Sequence, residues 1–209
     1  MSCMLHLTTI DKETYELLQK LSSIEIISSK FALAGGTSLA LQIGHRKSID
    51  LDFFSPALFD LKELEIILSG DPAINFQFIS SNSRMLFCYI NNIKCDFVNE
   101  PAKLINPFLD YDNVSYFSVE DIAAMKMHTI CGRGKKKDFF DIYALLELYS
   151  WKDLIGSFKK KYSEDQLYFL WRSILYFEDA NEDPEIKGIK PFDKRWDEIK
   201  AIIIKKCSG

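Results

Sequence analysis

Two rhythms of apolar positions alternate through the first half of the chain, and a single one runs through the second. Over residues 11–28, Tyr15, Leu18, Leu21 and Ile24 recur at helical spacing behind Asp11, which predicts one capped helix. Residues 31–34 form a short apolar run that stops at Gly35 and Gly36, the pattern of a buried strand entering a tight turn. Thr37 is placed to cap a following helix through Leu39, Leu41 and Ile43, and Gly44 to end it. Residues 48–54 alternate polar and apolar side chains, as a half-buried strand does. A helix over 61–68 and a break at Gly70, Asp71 and Pro72 follow. Three strand-like runs come next, at 74–80, 85–90 and 93–98, the last two joined by Asn91 and Asn92, a hairpin signal.

From Ser118 onward the period is helical. Ser118 and Asp121 have capping-box form, and Gly132 and Gly134 part that helix from another over 137–148. Further helices are expected at 163–177 and 194–205, separated by residues 181–191, and no motif stands out after about residue 150. The pattern predicts an α+β protein: a mixed-sheet core over residues 1–115 and a helical region over 116–209, joined near 110–117. There is no internal repeat and no low-complexity segment.

Length and composition narrow the class. A chain of 209 residues is one large domain or two small ones, long enough to bury a core without staples. At 47% hydrophobic and 27% charged it is neither disordered, collagen-like nor a disulfide scaffold. The net charge of −4 is unevenly spread: residues 1–115 carry 9 Lys/Arg against 14 Asp/Glu, residues 116–209 carry 17 against 16. An acidic first half suits a cation site and the basic clusters of the second half a polyanion, although solvated faces give the same counts. Cys3, Cys88, Cys95, Cys131 and Cys207 are odd in number, lack Cys-x-x-Cys spacing and accompany only three histidines, which argues against a zinc site. Residues 1–15 lack a secretory signal pattern, and no stretch reaches the ~18 apolar residues of a membrane span, so the chain reads as a soluble protein of the cytoplasm.

The segment richest in chemistry contains Arg46, Ser48, Asp50, Asp52, Phe53 and Phe54. On a strand, Ser48, Asp50 and Asp52 share one face while Ile49, Leu51 and Phe53 share the other. Two carboxylates so placed repel unless a cation lies between them, and hard oxygen donors suit Mg²⁺. Asp96, flanked by apolar residues on the strand after the hairpin, is a third candidate; if its strand neighbours the first, the three carboxylates can hold two metal ions around a phosphate. Upstream, Gly35, Gly36, Thr37 and Ser38 form a strand-to-helix turn whose amides make an anion site; the bland alternative is a tight turn with no ligand. No Gly-Lys-Ser/Thr follows, so it is not a P-loop.

Taken in order, these motifs resemble the AbiEii/AbiGii-type nucleotidyltransferase toxins of the polymerase-β-like superfamily. The resemblance continues through Asp121, Ile122 and Lys126, then through Arg133, Lys137, Asp138 and Asp141, and covers about residues 31–148. It implies a polymerase-β-like core and transfer of a nucleoside monophosphate from an NTP to an acceptor hydroxyl, with the tRNA 3′ end as acceptor, Mg²⁺ (or Mn²⁺) as metal, and a nearby encoded antitoxin as partner. Carried over by position, Ser48 and Asp50 are the essential hydroxyl–carboxylate pair. Asp52 is the second metal ligand and Asp96 the third. Lys126 is a phosphate-contacting lysine, Asp141 an aspartate needed for activity, and Asp138 the other acid of its motif.

The residues themselves are compatible with this and with blander roles. Lys126 and Arg133 lie seven apart and would share a cationic helix face; Lys126 alone would pass for a surface lysine. Asp138 and Asp141 are helix neighbours that can orient Lys126 or Arg133 by ion pairing. Met125, Met127 and His128 read as packing or surface residues, and His45 as a helix-end residue. Two other functions keep the same motifs: nucleotidyl transfer to a protein or small-molecule hydroxyl, and a non-catalytic nucleotide-binding module.

Overall fold

The computed structural model describes residues 5–208, so Cys3 lies outside the described residues. After a 3₁₀ turn at Leu7–Thr9, α1 (Lys12–Ser22) begins where Asp11 accepts the Thr14 amide at 2.7 Å. The single helix expected over 11–28 is two. At Ser23 the hydroxyl donates back to the Lys20 carbonyl at 2.7 Å, and Ile24 turns to extended backbone before α2 (Glu25–Lys30). Then come β1 (Ala32–Leu33), α3 (Gly35–Ile43), β2 (Leu51–Ser55), α4 (Leu61–Gly70), β3 (Phe76–Ser81), β4 (Met85–Ile90) and β5 (Ile93–Asn99). Asn91 and Asn92 both take positive φ in the tight turn between β4 and β5, as their sequence foretold.

A second hairpin, β6 (Leu109–Tyr111) and β7 (Val114–Tyr116), fills the stretch read as a join. Its two-residue turn, Asp112 and Asn113, also has positive φ and was a legible signal. β7 pairs in parallel with β1, so the sheet runs across position 115. The remaining helices are α5 (Val119–Gly132), α6 (Lys136–Leu148), α7 (Trp151–Lys161), α8 (Asp165–Ser173), α9 (Glu178–Asn181) and α10 (Trp196–Cys207). α7 was not anticipated, although Ser150 and Asp153 form a capping box and Trp151, Leu154 and Phe158 supply its buried face.

Among the described residues the strands form one mixed sheet in the order β3-β4-β5-β2-β1-β7-β6. β2 and β5 run parallel at its centre, with Leu51 opposite Cys95, Asp52 opposite Asp96 and Phe53 opposite Phe97. Alternation then sorts the side chains. Leu51, Phe53, Cys95 and Phe97 enter a core with Leu17, Leu18 and Leu21 of α1 and Leu64 and Leu68 of α4. The Phe53 and Phe97 rings stack there at 5.2 Å. Asp52 and Asp96 leave by the opposite face, which α3 and the C-terminal helices cover with a second core built around Phe139, Phe140, Leu145 and Phe158. That core includes Ala32, Ala34 and Leu39, so the helical region packs directly on the sheet region.

Candidate active site

Between the Asp52/Asp96 face and the helices lies a cavity of about 520 Å³, lined by Gly35, Asp52, Asp96, Lys126, Arg133 and Asp138 among others. Apolar residues of β2, β4, β5 and α5, including Phe54, Met85, Phe87 and Ile122, line part of its wall between the charged groups. A concave site where apolar side chains meet convergent charged groups is the usual form of a small-molecule site.

Asp52 and Asp96 are brought together by register alone. Burial first, and the Asp96 charge next, push the Asp52 pKa above its usual value. Asp96 Oδ2 accepts from the Lys94 ammonium at 2.5 Å, while Oδ1 is buried with no hydrogen-bond partner. Two adjacent carboxylates, one reluctant to ionise and one with an orphaned oxygen, are a donor set suited to a hard divalent cation. Asp52 also presses on Gly35: a Cβ there would lie 2.1 Å from Asp52 Oδ2, and Gly35 has φ +65°, so both space and backbone require glycine.

Ser48 and Asp50 are placed differently from the sequence reading. β2 starts only at Leu51, so the strand alternation does not reach them, and Ile49 is 62% exposed instead of sharing the apolar face. Their backbone is held from outside the sheet. The Ser48 amide donates to the Thr9 carbonyl at 2.9 Å, and Thr37 donates its hydroxyl to the Asp50 carbonyl. Asp50 points to Lys137 of α6, with Nζ 3.6 Å from Oδ2. Among the described residues, no three His, Cys, Asp or Glu side chains are grouped so as to share one ion.

The Gly35 turn is also changed. α3 begins at Gly35 itself, with Ala34 as its N-cap, so Thr37 is inside the helix and does not cap it. The Thr37 hydroxyl faces Ser48 Oγ at 2.8 Å, Ser38 Oγ accepts from Gln42 at 3.0 Å, and Gly36 leaves room for the Arg46 guanidinium. Of these four residues only Gly35 lines the cavity, bringing the positive end of the α3 dipole to it.

Lys126 and Arg133 do not share a helix face. Arg133 follows the end of α5 in extended backbone, because Gly132 closes the helix, and its side chain is 60% exposed. Lys126 is buried and bound by α6, 3.1 Å from Asp138 Oδ1 and 2.7 Å from Asp141 Oδ2. Asp138 faces Arg133 more loosely, at 3.8 Å.

Asp141 is the hub of this network. Its Oδ1 meets Arg46 Nε and His45 Nε2, each at 2.7 Å, and its Oδ2 meets Arg46 Nη2 at 3.0 Å. Burial would raise the Asp141 pKa, but Arg46, Lys126 and His45 together hold it well below the usual range. Burial pushes the His45 pKa down despite Asp141, and the ring is a buried partner of the hub rather than a helix-end residue. Arg46 was in view as part of the motif but not as a site residue. Nor were Lys94 and Lys137, whose only sequence signal was a basic residue near each carboxylate motif. Met125 and His128 also line the cavity, His128 stacking on Tyr162 at 4.4 Å, whereas Met127 is core.

Comparison with known proteins gives a family and a fold. A family model described as nucleotidyl transferase AbiEii toxin, type IV toxin–antitoxin system, matches residues 16–201. An uncharacterized protein of Aquifex aeolicus (strain VF5) is 32% identical over 201 residues, covering 94% of this chain and 95% of that one. Among solved structures, MenT4, a nucleotidyltransferase toxin of Mycobacterium tuberculosis H37Rv, superposes with a TM-score of 0.53 at 13% identity, over 94% of this chain and 84% of that one. JHP933 from Helicobacter pylori gives 0.50 at 16% identity, over 95% and 92%. At such identities these two structures speak to the fold alone.

Proposed function

The chain belongs to the AbiEii nucleotidyl transferase toxin family, and on that premise we propose that it transfers a nucleoside monophosphate from an NTP to the 3′ end of tRNA in a Mg²⁺-dependent reaction. The observation that carries this reading is the Asp52–Asp96 pair, set side by side at the cavity floor beneath the N-terminus of α3. Asp52 and Asp96 would hold the metal, and Asp50 would join them from the loop ahead of β2; the ion when bound supplies positive charge to the reacting phosphate.

The chain's own groups account for the rest. Gly35 lines the cavity at the start of α3, where backbone N–H groups would face the triphosphate. Arg133 offers an exposed guanidinium at the cavity wall, and Lys126 a fixed ammonium deeper in. Asp141 acts as a positioning residue, pinning Lys126 from α6 while Arg46 ties it to the loop before β2. The acceptor oxygen attacks the α-phosphorus, the bond to the bridging oxygen breaks, and pyrophosphate leaves. A separately encoded antitoxin is the expected partner. Among the described residues no helix is long and apolar enough to cross a membrane.

The test is incubation of purified protein with each labelled NTP, Mg²⁺ and total tRNA. Label at the tRNA 3′ end, abolished by EDTA, is expected. Label on a protein side chain or a small molecule would reassign the acceptor, and none with any NTP would overturn the reading.

A further inference from the structure

The helical fold of α7 sorts its basic residues. Lys161 turns inward, where its ammonium meets Asp121 Oδ1 at 2.8 Å, and Lys159 faces Glu164 at 3.9 Å. Lys160 is exposed, as is Lys152 two turns earlier, and among the described residues neither has an ion-pair partner. Lys152, Gly156 and Lys160 are spaced four apart, so they form one stripe, about 12 Å long at ~1.5 Å per residue. Gly156 is its open centre, with nothing within 4 Å of where a Cβ would lie.

The stripe borders a second cavity of about 410 Å³, enclosed by α7, the first turn of α5 and the end of α6. Two acids share that wall, and both are engaged locally: Glu120 accepts from Asn106 at 3.2 Å, and Asp153 from the Ser150 amide at 3.3 Å. In the other direction α7 ends on Tyr162, which lines the catalytic cavity and stacks on His128. One helix therefore leads from a pair of unpartnered ammonium groups to the catalytic cavity. Lysines held at fixed spacing match a phosphate backbone and set its position without reading its sequence. Resting on the tRNA reading above, we propose that α7 is the surface on which the acceptor docks. Lys152 and Lys160 take backbone phosphates of the tRNA, Gly156 lets the strand approach the helix, and the 3′ end continues past Tyr162 to the reacting phosphate.

The test is the salt dependence of binding between the full chain and 5′-labelled tRNA, followed by fluorescence anisotropy without NTP. Lys152→Gln combined with Lys160→Gln should weaken binding about tenfold or more at low salt, and should lower the slope of log affinity against log salt by about 1.5. Gly156→Glu, which sets a carboxylate in open space between the lysines, should weaken binding comparably, and Gly156→Ala should not. Alanine and glutamate both suit a helix better than glycine, so neither Gly156 variant should melt below wild type, which separates lost docking from lost fold. In transfer assays the double variant should raise KM for tRNA and leave KM for the NTP and kcat unchanged. An unchanged affinity and slope in the double variant, or equal losses in Gly156→Ala and Gly156→Glu, overturns the α7 proposal while leaving tRNA as the acceptor. Wild type that neither binds nor labels tRNA removes both.

Discussion

Arg46 and Asp141 form a forked ion pair between the loop ahead of β2 and the middle of α6, with Nε 2.7 Å from Oδ1 and Nη2 3.0 Å from Oδ2. The pairing is possible because Gly36 has no side chain: a Cβ there would lie 2.3 Å from Arg46 Nη2. Through this pair the carboxylate-bearing segment and the lysine-bearing helices are fixed relative to each other, since Asp141 also holds Lys126.

Replacing Asp141 with Asn keeps the shape and removes the charge. Arg46 and Lys126 are then left buried with too little counter-charge, a defect that costs about 3–5 kcal/mol. Asp141→Asn should therefore lower stability by that order in urea titrations and abolish nucleotidyl transfer. A variant as stable as wild type would show that Asp141 is not the hub.

The same carboxylate fixes the acid limit of the fold. Its folded pKa lies well below the ordinary aspartate value of 3.8, so its stabilisation is fully present above that value and is lost as pH falls through the folded pKa. Asp121, held down against burial by Lys161 and two backbone amides, adds in the same direction. His45, whose pKa is lowered from 6.5 by burial, begins the loss earlier, because the unfolded state takes up a proton first. Melting temperatures should decline gently below about pH 6.5 and steeply below about pH 4. Asp141→Asn should show a shallower acid limb than wild type; an identical limb would assign the acid sensitivity elsewhere.

Which parts were legible follows from the kind of signal each residue carries. The β4–β5 hairpin was readable because Asn91 and Asn92 announce a turn with positive φ, and α5 because Ser118 and Asp121 announce its start. The family motifs pointed to Asp52 and Asp96, but only the parallel register of β2 and β5 sets them side by side, and register between residues 44 apart in sequence is not a local property. His45 shows the limit most clearly. Nothing near it in sequence distinguishes a helix-end histidine from one buried against Asp141, because its partner lies on α6. Thr37 does not cap the helix for a related reason: the sequence pattern sets the turn after Gly36, whereas the helix starts at Gly35 and turns the hydroxyl inward.

Asp52 should be a residue whose removal stabilises the metal-free protein. Its pKa is raised, by burial and then by Asp96, so at neutral pH its ionised form opposes folding. Asp52→Asn should raise the melting temperature in EDTA by a few degrees and abolish transfer. Added Mg²⁺ should stabilise wild type but not the variant, since only binding to the folded state shifts the equilibrium. Equal Mg²⁺ shifts in both proteins would exclude Asp52 as a ligand.

Thr37 distinguishes two accounts of the Gly35 turn. If its hydroxyl met the triphosphate, Thr37→Val would raise KM for the NTP and leave kcat nearly unchanged. The structure directs that hydroxyl to the Asp50 carbonyl and to Ser48 Oγ, so the substitution, close in volume, removes a support of the Ser48–Asp50 backbone instead. The loss of a buried hydrogen bond should cost about 1–2 kcal/mol of stability. With Asp50 less firmly placed, kcat should fall about tenfold or more while KM for the NTP changes little, because positioning errors act on the transition state. Thr37→Ser, which keeps the donor, should recover most of the kcat. A rise in KM alone, unrescued by serine, would return Thr37 to the phosphate site.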